Sequence, residues 1–273
     1  MCELLGMSAN VPTDICFSFS GLMKRGGATG PHKDGWGVAF YEGKGCRVFH
    51  DPFPSAQSEI AKLVKHYPIH SKNVICHIRK ANRGRVCLEN THPFMRQLWG
   101  LNWCFAHNGQ LKGIKKILIP THFQPIGTTD SEHAFCWLMS QIKEQFPERP
   151  KKETILWSFI EKLTAQIAQL GVFNFLLSDS KSLFAHCSTK LVWITRCSPF
   201  GRAKLVDEDI EVDFHKIQHD NDVISIIATR PLTDNEAWNV VDKGTLLVFK
   251  NGLIKYQSSY PLIRTAKLIS NSI

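Results

Sequence analysis

The second residue of the chain is a cysteine, and its chemistry depends on the residue before it. An initiator methionine is normally trimmed when residue 2 is small. Removal of Met1 would leave Cys2 with a thiol and a free α-amine on one residue. An amine with a reference pKa of about 7.7–8.0 suits neutral pH and can deprotonate the thiol beside it. Cys2 could then supply nucleophile and base together. Further along, Trp103-Cys104-Phe105-Ala106-His107-Asn108-Gly109 is an apolar run ending in Asn-Gly. The Asn108 amide and the Gly109 N–H could point at one spot. That donor pair is what an oxyanion needs when a thiolate adds to an amide carbonyl. Arg79, closing Cys76-His77-Ile78-Arg79, offers a planar fork for a carboxylate. Asp130, in Gly127-Thr128-Thr129-Asp130-Ser131-Glu132, offers a counter-charge for an ammonium group. Together Arg79 and Asp130 match the two charges on the head of a free α-amino acid.

Each of these residues also has a plainer reading. Cys2 alone fits an incidental cysteine on a first strand, and Asn108-Gly109 alone fits a simple turn. Arg79 could salt-bridge locally, and Asp130 could merely cap its helix. A Cys-His dyad built on Cys104 is a rival arrangement, but Cys104 lies in the middle of an apolar strand, a poor position for attack. His92, in Asn90-Thr91-His92-Pro93-Phe94, either lines the pocket or is structural. No His/Cys/Asp cluster has metal-ligand spacing, and the glycine-rich loop lacks a phosphate-binding pattern, so neither metal nor cofactor is expected.

The elements that must position these residues are strands, then two helices, then strands again. Cys2 to Met7 reads as the first strand, and Gly21 to Gly37 as a long glycine-rich loop. Val38 to Tyr41 and Arg47 to His50 form a hairpin about Glu42-Gly43-Lys44-Gly45, and Ser55 to Tyr67 a short helix. Asn73 to Arg79 and Leu98 to Ala106 are further strands. Thr129 or Asp130 caps a helix whose face carries Ala134, Phe135, Leu138 and Ile142; a second helix runs from about Glu153 to Leu170. Strands follow at Phe173 to Leu177, Leu183 to Cys187, Leu191 to Thr195, Asp222 to Thr229 and Thr245 to Phe249. Asn251-Gly252 then makes a type I′ turn into Leu253 to Gln257. This is an α+β pattern of packed layers in one domain.

Composition agrees. Hydrophobic residues make up 43% and charged residues 21% of 273, enough to bury a sizeable core. No run approaches the roughly 18 apolar residues of a membrane span, and the N-terminus does not read as a secretory signal. The nine cysteines are scattered without a Cys-x-x-Cys pair, which argues against a disulfide framework and for a cytoplasmic location. The net charge of +9 is spread without a basic stripe, so it suits anionic substrates better than nucleic acid.

In this order, the second-residue cysteine, the Arg25-Gly26 loop, His77-x-Arg79, His107-Asn108-Gly109 and Thr129-Asp130-Ser131-Glu132 resemble class II glutamine amidotransferases, which are N-terminal nucleophile hydrolases. Asn90 to Phe94 and Ala228-Thr229-Arg230-Pro231-Leu232-Thr233 are similar to the compact, stand-alone bacterial members. The resemblance implies a four-layer αββα sandwich, two antiparallel sheets between helices, with residues 1–273 as a single type 2 domain. It implies that Cys2 attacks the side-chain amide of glutamine to give a γ-glutamyl thioester, then glutamate and ammonia. Asn108 and Gly109 would hold the oxyanion, Arg79 the α-carboxylate and Asp130 the α-amine. Arg25 and Gly26 would order the substrate site around Cys2, and His77 would be structural. Larger members continue after the arginine with Tyr-Ser-Thr, whereas this chain reads Lys80-Ala81-Asn82, so a substrate-facing hydroxyl is lost or replaced by Asn82. No synthase domain is expected after the strands. Ammonia would then be released or passed to a separate enzyme, or the substrate would be a γ-glutamyl conjugate of thiol metabolism. A non-catalytic subunit that keeps the fold is the remaining alternative.

Overall fold

The computed structural model describes residues 2–67, 69–81, 84–214 and 220–258. Asn82 and the basic stretch Arg264 to Lys267 lie outside them. In chain order the elements are β1 (Glu3–Asp14), α1 (Cys16–Lys24), β2 (Trp36–Glu42), β3 (Gly45–Asp51), α2 (Glu59–His66) and β4 (His70–Ile78). There follow β5 (Phe94–Leu98), β6 (Leu101–Leu111), α3 (Ile114–Ile117), α4 (Asp130–Gln145) and α5 (Glu153–Ala168). The last third is β7 (Gly171–Ser178), β8 (Leu183–Cys187), β9 (Val192–Cys197), β10 (Arg202–Lys204), β11 (Glu211–Asp213), β12 (Val223–Ala228), β13 (Asn239–Val240), β14 (Thr245–Lys250) and β15 (Leu253–Gln257).

One sheet has the order β13-β9-β12-β1-β4-β2-β3, the second β15-β14-β8-β7-β6-β5, and the paired strands run antiparallel. Each sheet is covered on both faces, so its strands read as continuous apolar runs rather than alternating ones. On β1 the odd residues Leu5 and Met7 pack under α1 and α2, with Phe19, Leu22, Ala61 and Val64. Leu4, of even parity, faces the other sheet, where Ala39, Ile75, Cys104, Ala106 and Leu176 complete the middle layer. Beyond the second sheet, α4 and α5 bury Phe135, Leu138, Leu156 and Ile160 against Phe105, Phe173 and Phe175. The result is the four-layer αββα sandwich.

Several boundaries differ from the sequence reading. The first strand runs on to Asp14, and Leu98 to Ala106 divides at Trp99-Gly100 into a hairpin of β5 and β6. The supposed loop from Gly21 begins inside α1, whose serines 18 and 20 are buried and so hide its amphipathic signal. Asn251 and Gly252 take φ of 52° and 74°, as the type I′ turn requires. Among the described residues no helix is long and apolar enough to cross a membrane, and no His/Cys/Asp/Glu group could hold a metal ion.

Candidate active site

Cys2 precedes β1, and Arg79 and Lys80 follow β4; the antiparallel pairing of Glu3 with Ile78 sets these two ends side by side. The Lys80 N–H donates to the Cys2 sulfur at 3.3 Å. From the opposite sheet comes Asn108. On β6, Cys104 and Ala106 face the middle layer, so period-2 alternation turns Asn108 the same way and His107 towards α4. Asn108 Oδ1 accepts from the Cys2 N at 2.9 Å, and its Nδ2 donates to the Cys2 carbonyl at 2.6 Å. One side-chain amide thus grips both polar groups of the Cys2 backbone.

The strand behind holds Asn108 in turn. The fully buried Asn174 on β7 donates from Nδ2 to the Asn108 carbonyl at 2.9 Å, and its Oδ1 accepts from the N–H groups of Ser188 and Thr189, each at 2.9 Å. Sequence reasoning passed over Asn174; its one signal is a polar residue between Phe173 and Phe175. At Gly109 a Cβ would lie 1.9 Å from the Val172 carbonyl oxygen, so the close approach of β6 to β7 admits only glycine there.

The four residues at the start of α4 each perform a different task. Thr129 caps the helix, its Oγ1 accepting from the Glu132 N–H at 3.1 Å. Asp130 Oδ2 accepts from the Leu111 N–H at 2.7 Å and anchors the helix to the end of β6. Ser131 Oγ lies 2.8 Å from His107 Nδ1, and His107 Nε2 lies 3.0 Å from the Val172 carbonyl. A carbonyl only accepts, so Nε2 carries the proton and Nδ1 accepts from the Ser131 hydroxyl. Glu132 takes the N–H groups of Ile126 and Gly127 at 3.0 and 2.7 Å and pairs with Arg96 at 2.6 Å, fastening the preceding loop.

Cys2, Arg79, His92, Asn108, Gly109 and Asp130 line one cleft of about 510 Å³. Arg79 is buried; its Nη1 donates to the carbonyls of Arg85 and Asp34 at 3.1 and 3.4 Å, and among the described residues it has no carboxylate partner. Asp130 is half-buried and equally without a cationic partner among the described residues. His92 stacks on His77 and Phe94, with ring centroids 4.2 and 4.4 Å away, and neither of its ring nitrogens meets a hydrogen-bond partner. Burial raises the Cys2 thiol above its ordinary pKa; the Lys80 N–H and the Arg79 charge act in the opposite direction without cancelling it.

The sequence profile of the family Glutamine amidotransferases class-II matches residues 1–271. The chain belongs to this family. It is 58% identical over 249 residues to YafJ of Escherichia coli K12, provisionally named a glutamine amidotransferase, covering 91% of this chain and 97% of YafJ. A Haemophilus influenzae protein of the same provisional name is 49% identical over 92% of this chain and 85% of its own. The crystal structure of a predicted glutamine amidotransferase from Pseudomonas aeruginosa PA01 superposes with a TM-score of 0.76 at 48% identity, covering 93% of this chain and 100% of that one. At 16% identity and a TM-score of 0.59, the glutamine PRPP amidotransferase of B. subtilis shares the fold over 94% of this chain and 49% of its own. The architecture is therefore that of the N-terminal nucleophile hydrolases.

Two expected contacts fall elsewhere. Arg25 and Gly26 do not line the cleft. The Arg25 guanidinium is buried behind Cys2, where it pairs with Glu3 at 3.2 Å and Asp207 at 2.6 Å and donates to the carbonyls of Arg230 and Pro231. Its groups are taken, so it supports the start of β1 instead of meeting a substrate. Breaking such a buried pair typically costs about 3–5 kcal/mol. Gly26 packs on Ser55, whose Oγ would lie 1.8 Å from any Cβ.

Burial also lowers the pKa of His50, His92 and His107 from 6.5, that of His77 to about 3 and that of His186 to about 4. These folded-state values lie below the unfolded one, so the unfolded chain binds more protons as the medium acidifies. Stability from these histidines is complete above about pH 6.5 and falls as pH drops towards 4. Urea unfolding should therefore show a lower midpoint at pH 5 than at pH 7.5. An unchanged midpoint would contradict the neutral, buried state of these rings.

Proposed function

We propose that the chain is an amidohydrolase that opens the side-chain amide of glutamine through Cys2 after Met1 is removed. The observation that carries this reading is the convergence of the Cys2 sulfur, a buried cation and a half-buried carboxylate on one cleft. Arg79 and Asp130 suit the α-carboxylate and α-ammonium of one amino acid, and each lacks an ion-pair partner among the described residues. Glutamine bound by its head would extend its side chain towards Cys2.

The thiol is not ionised in advance, because burial favours its neutral form. A base must therefore take the proton as attack proceeds. Without Met1, the Cys2 nitrogen becomes an amine beside Asn108 Oδ1, which orients it for that task. The sulfur adds to the δ-carbonyl. Asn108 Nδ2 has two N–H groups: one holds the Cys2 carbonyl, and the other, with the Gly109 N–H, is assigned to the oxyanion. The protonated amine gives its proton to the leaving nitrogen, ammonia departs, and a γ-glutamyl thioester remains. Water then attacks the thioester with the amine again as base, releasing glutamate. Asp130 serves the substrate while anchored to the Leu111 N–H, since a carboxylate oxygen accepts more than one hydrogen bond.

We read residues 1–273 as one type 2 domain, with ammonia passing to solvent or to a separate acceptor enzyme. The nine free cysteines support a reducing, cytoplasmic setting. A second reading rests on size: a cleft of about 510 Å³ exceeds what one amino acid fills, so a γ-glutamyl compound with a larger amine also fits.

Steady-state kinetics test this account. Asn108→Ala should lower kcat/KM for glutamine by roughly 10²–10³; a near-wild-type rate would sink the assignment. Arg79→Lys loses the bidentate fork and should raise KM for glutamine while barely affecting a substrate without the α-carboxylate. Equal losses on both substrates would remove Arg79 from carboxylate binding. Faster turnover of a γ-glutamyl anilide than of glutamine would favour the second reading.

A further inference from the structure

Among the nine cysteines, all free, one pair brings its sulfurs into contact: Cys46 Sγ and Cys104 Sγ lie 3.3 Å apart. They belong to different sheets. Cys46 is on β3, the edge strand of the first sheet, in register with Tyr41 of β2, and Cys104 is on β6 of the second. Tyr41 reaches across beside them, its hydroxyl 3.2 Å from the Asn102 carbonyl and 3.1 Å from that of Ser178. This part of the middle layer is thus already joined by polar contacts. Cys104 is fully buried, whereas Cys46 is partly exposed. One thiol can be reached from solvent while its neighbour is held against it.

We propose that Cys46 and Cys104 form a modification site for small hydroperoxides, which convert the pair into a disulfide joining the two sheets. With hydrogen peroxide, the Cys46 sulfur attacks one oxygen, the O–O bond breaks, and water leaves a sulfenic acid on Cys46. The Cys104 sulfur then attacks Cys46 Sγ. The S–S bond forms, the S–O bond breaks, and the departing hydroxide takes the Cys104 proton as a second water. Two thiols are oxidised by two electrons and one peroxide is reduced to two waters. The sulfurs must close from 3.3 Å to about 2.05 Å. The cross-link ties β3 to the strand that carries Asn108, and it leaves the Cys2 sulfur, which lies against Lys80, unconsumed.

The test exposes the full chain to equimolar hydrogen peroxide, alkylates remaining thiols and maps peptides by mass spectrometry without reduction. The expected product is a Cys46–Cys104 linked peptide, lost on treatment with dithiothreitol, together with a Tm higher by roughly 5–10 °C. Cys46→Ser, at a partly exposed edge position, should show neither. Recovery of Cys46 and Cys104 on separate peptides, with the exposed Cys197 oxidised, would overturn the proposal. So would the same Tm gain in Cys46→Ser, because the stabilisation would then arise elsewhere.

Discussion

The structure turns on the reciprocal pair of hydrogen bonds between the Cys2 backbone and the Asn108 side chain. Cys2 leads into a central strand of one sheet, and Asn108 is on a strand of the other. A primary amide presents a donor and an acceptor side by side on one planar group, matching a peptide N–H and C=O. The same two bonds therefore tie the two sheets together at the cleft and fix the place of the Cys2 backbone. An apolar residue at 108 would leave both Cys2 groups to find other partners.

The surrounding architecture stabilises that contact from every side. Asn174 holds the Asn108 carbonyl from behind, and Gly109 lets β7 approach without a Cβ between the strands. Thr229 holds β1 just after Cys2, its Oγ1 accepting from the Leu4 N–H at 2.9 Å and its own N–H reaching the Leu4 carbonyl at 3.1 Å. Glu3 points away from the cleft into the Arg25 cluster, so Cys2 and Glu3, neighbours in sequence, serve opposite faces of one sheet. Satisfied buried polar networks of this kind specify a single arrangement, because each unmade bond would carry a desolvation penalty. Arg79 and Asp130 stand out against this background, since their charges face the cleft without ion-pair partners among the described residues.

Much of this was legible in the sequence. Strand and helix positions followed from apolar runs, and β8 and β15 end where composition places them. Cys2, Arg79, Asn108, Gly109 and Asp130 stood out because their chemistry is local to short motifs. What escaped was long-range or hidden. Helix α1 buries serines among its apolar residues, so no stripe marks it. The partner of Arg25 at Asp207 lies 182 positions away and leaves no local trace. The pairing of Ser131 with His107 required α4 to be docked on β6 before it could be seen.

We propose Cys2, with its own amine, as the nucleophile for a glutamine-shaped substrate. The most direct measurement is the intact mass of the purified protein before and after exposure to an electrophilic glutamine analogue. Loss of Met1 and a single adduct that peptide mapping places on Cys2 are expected. A processed chain that forms no adduct at Cys2 while its other thiols alkylate normally would contradict it.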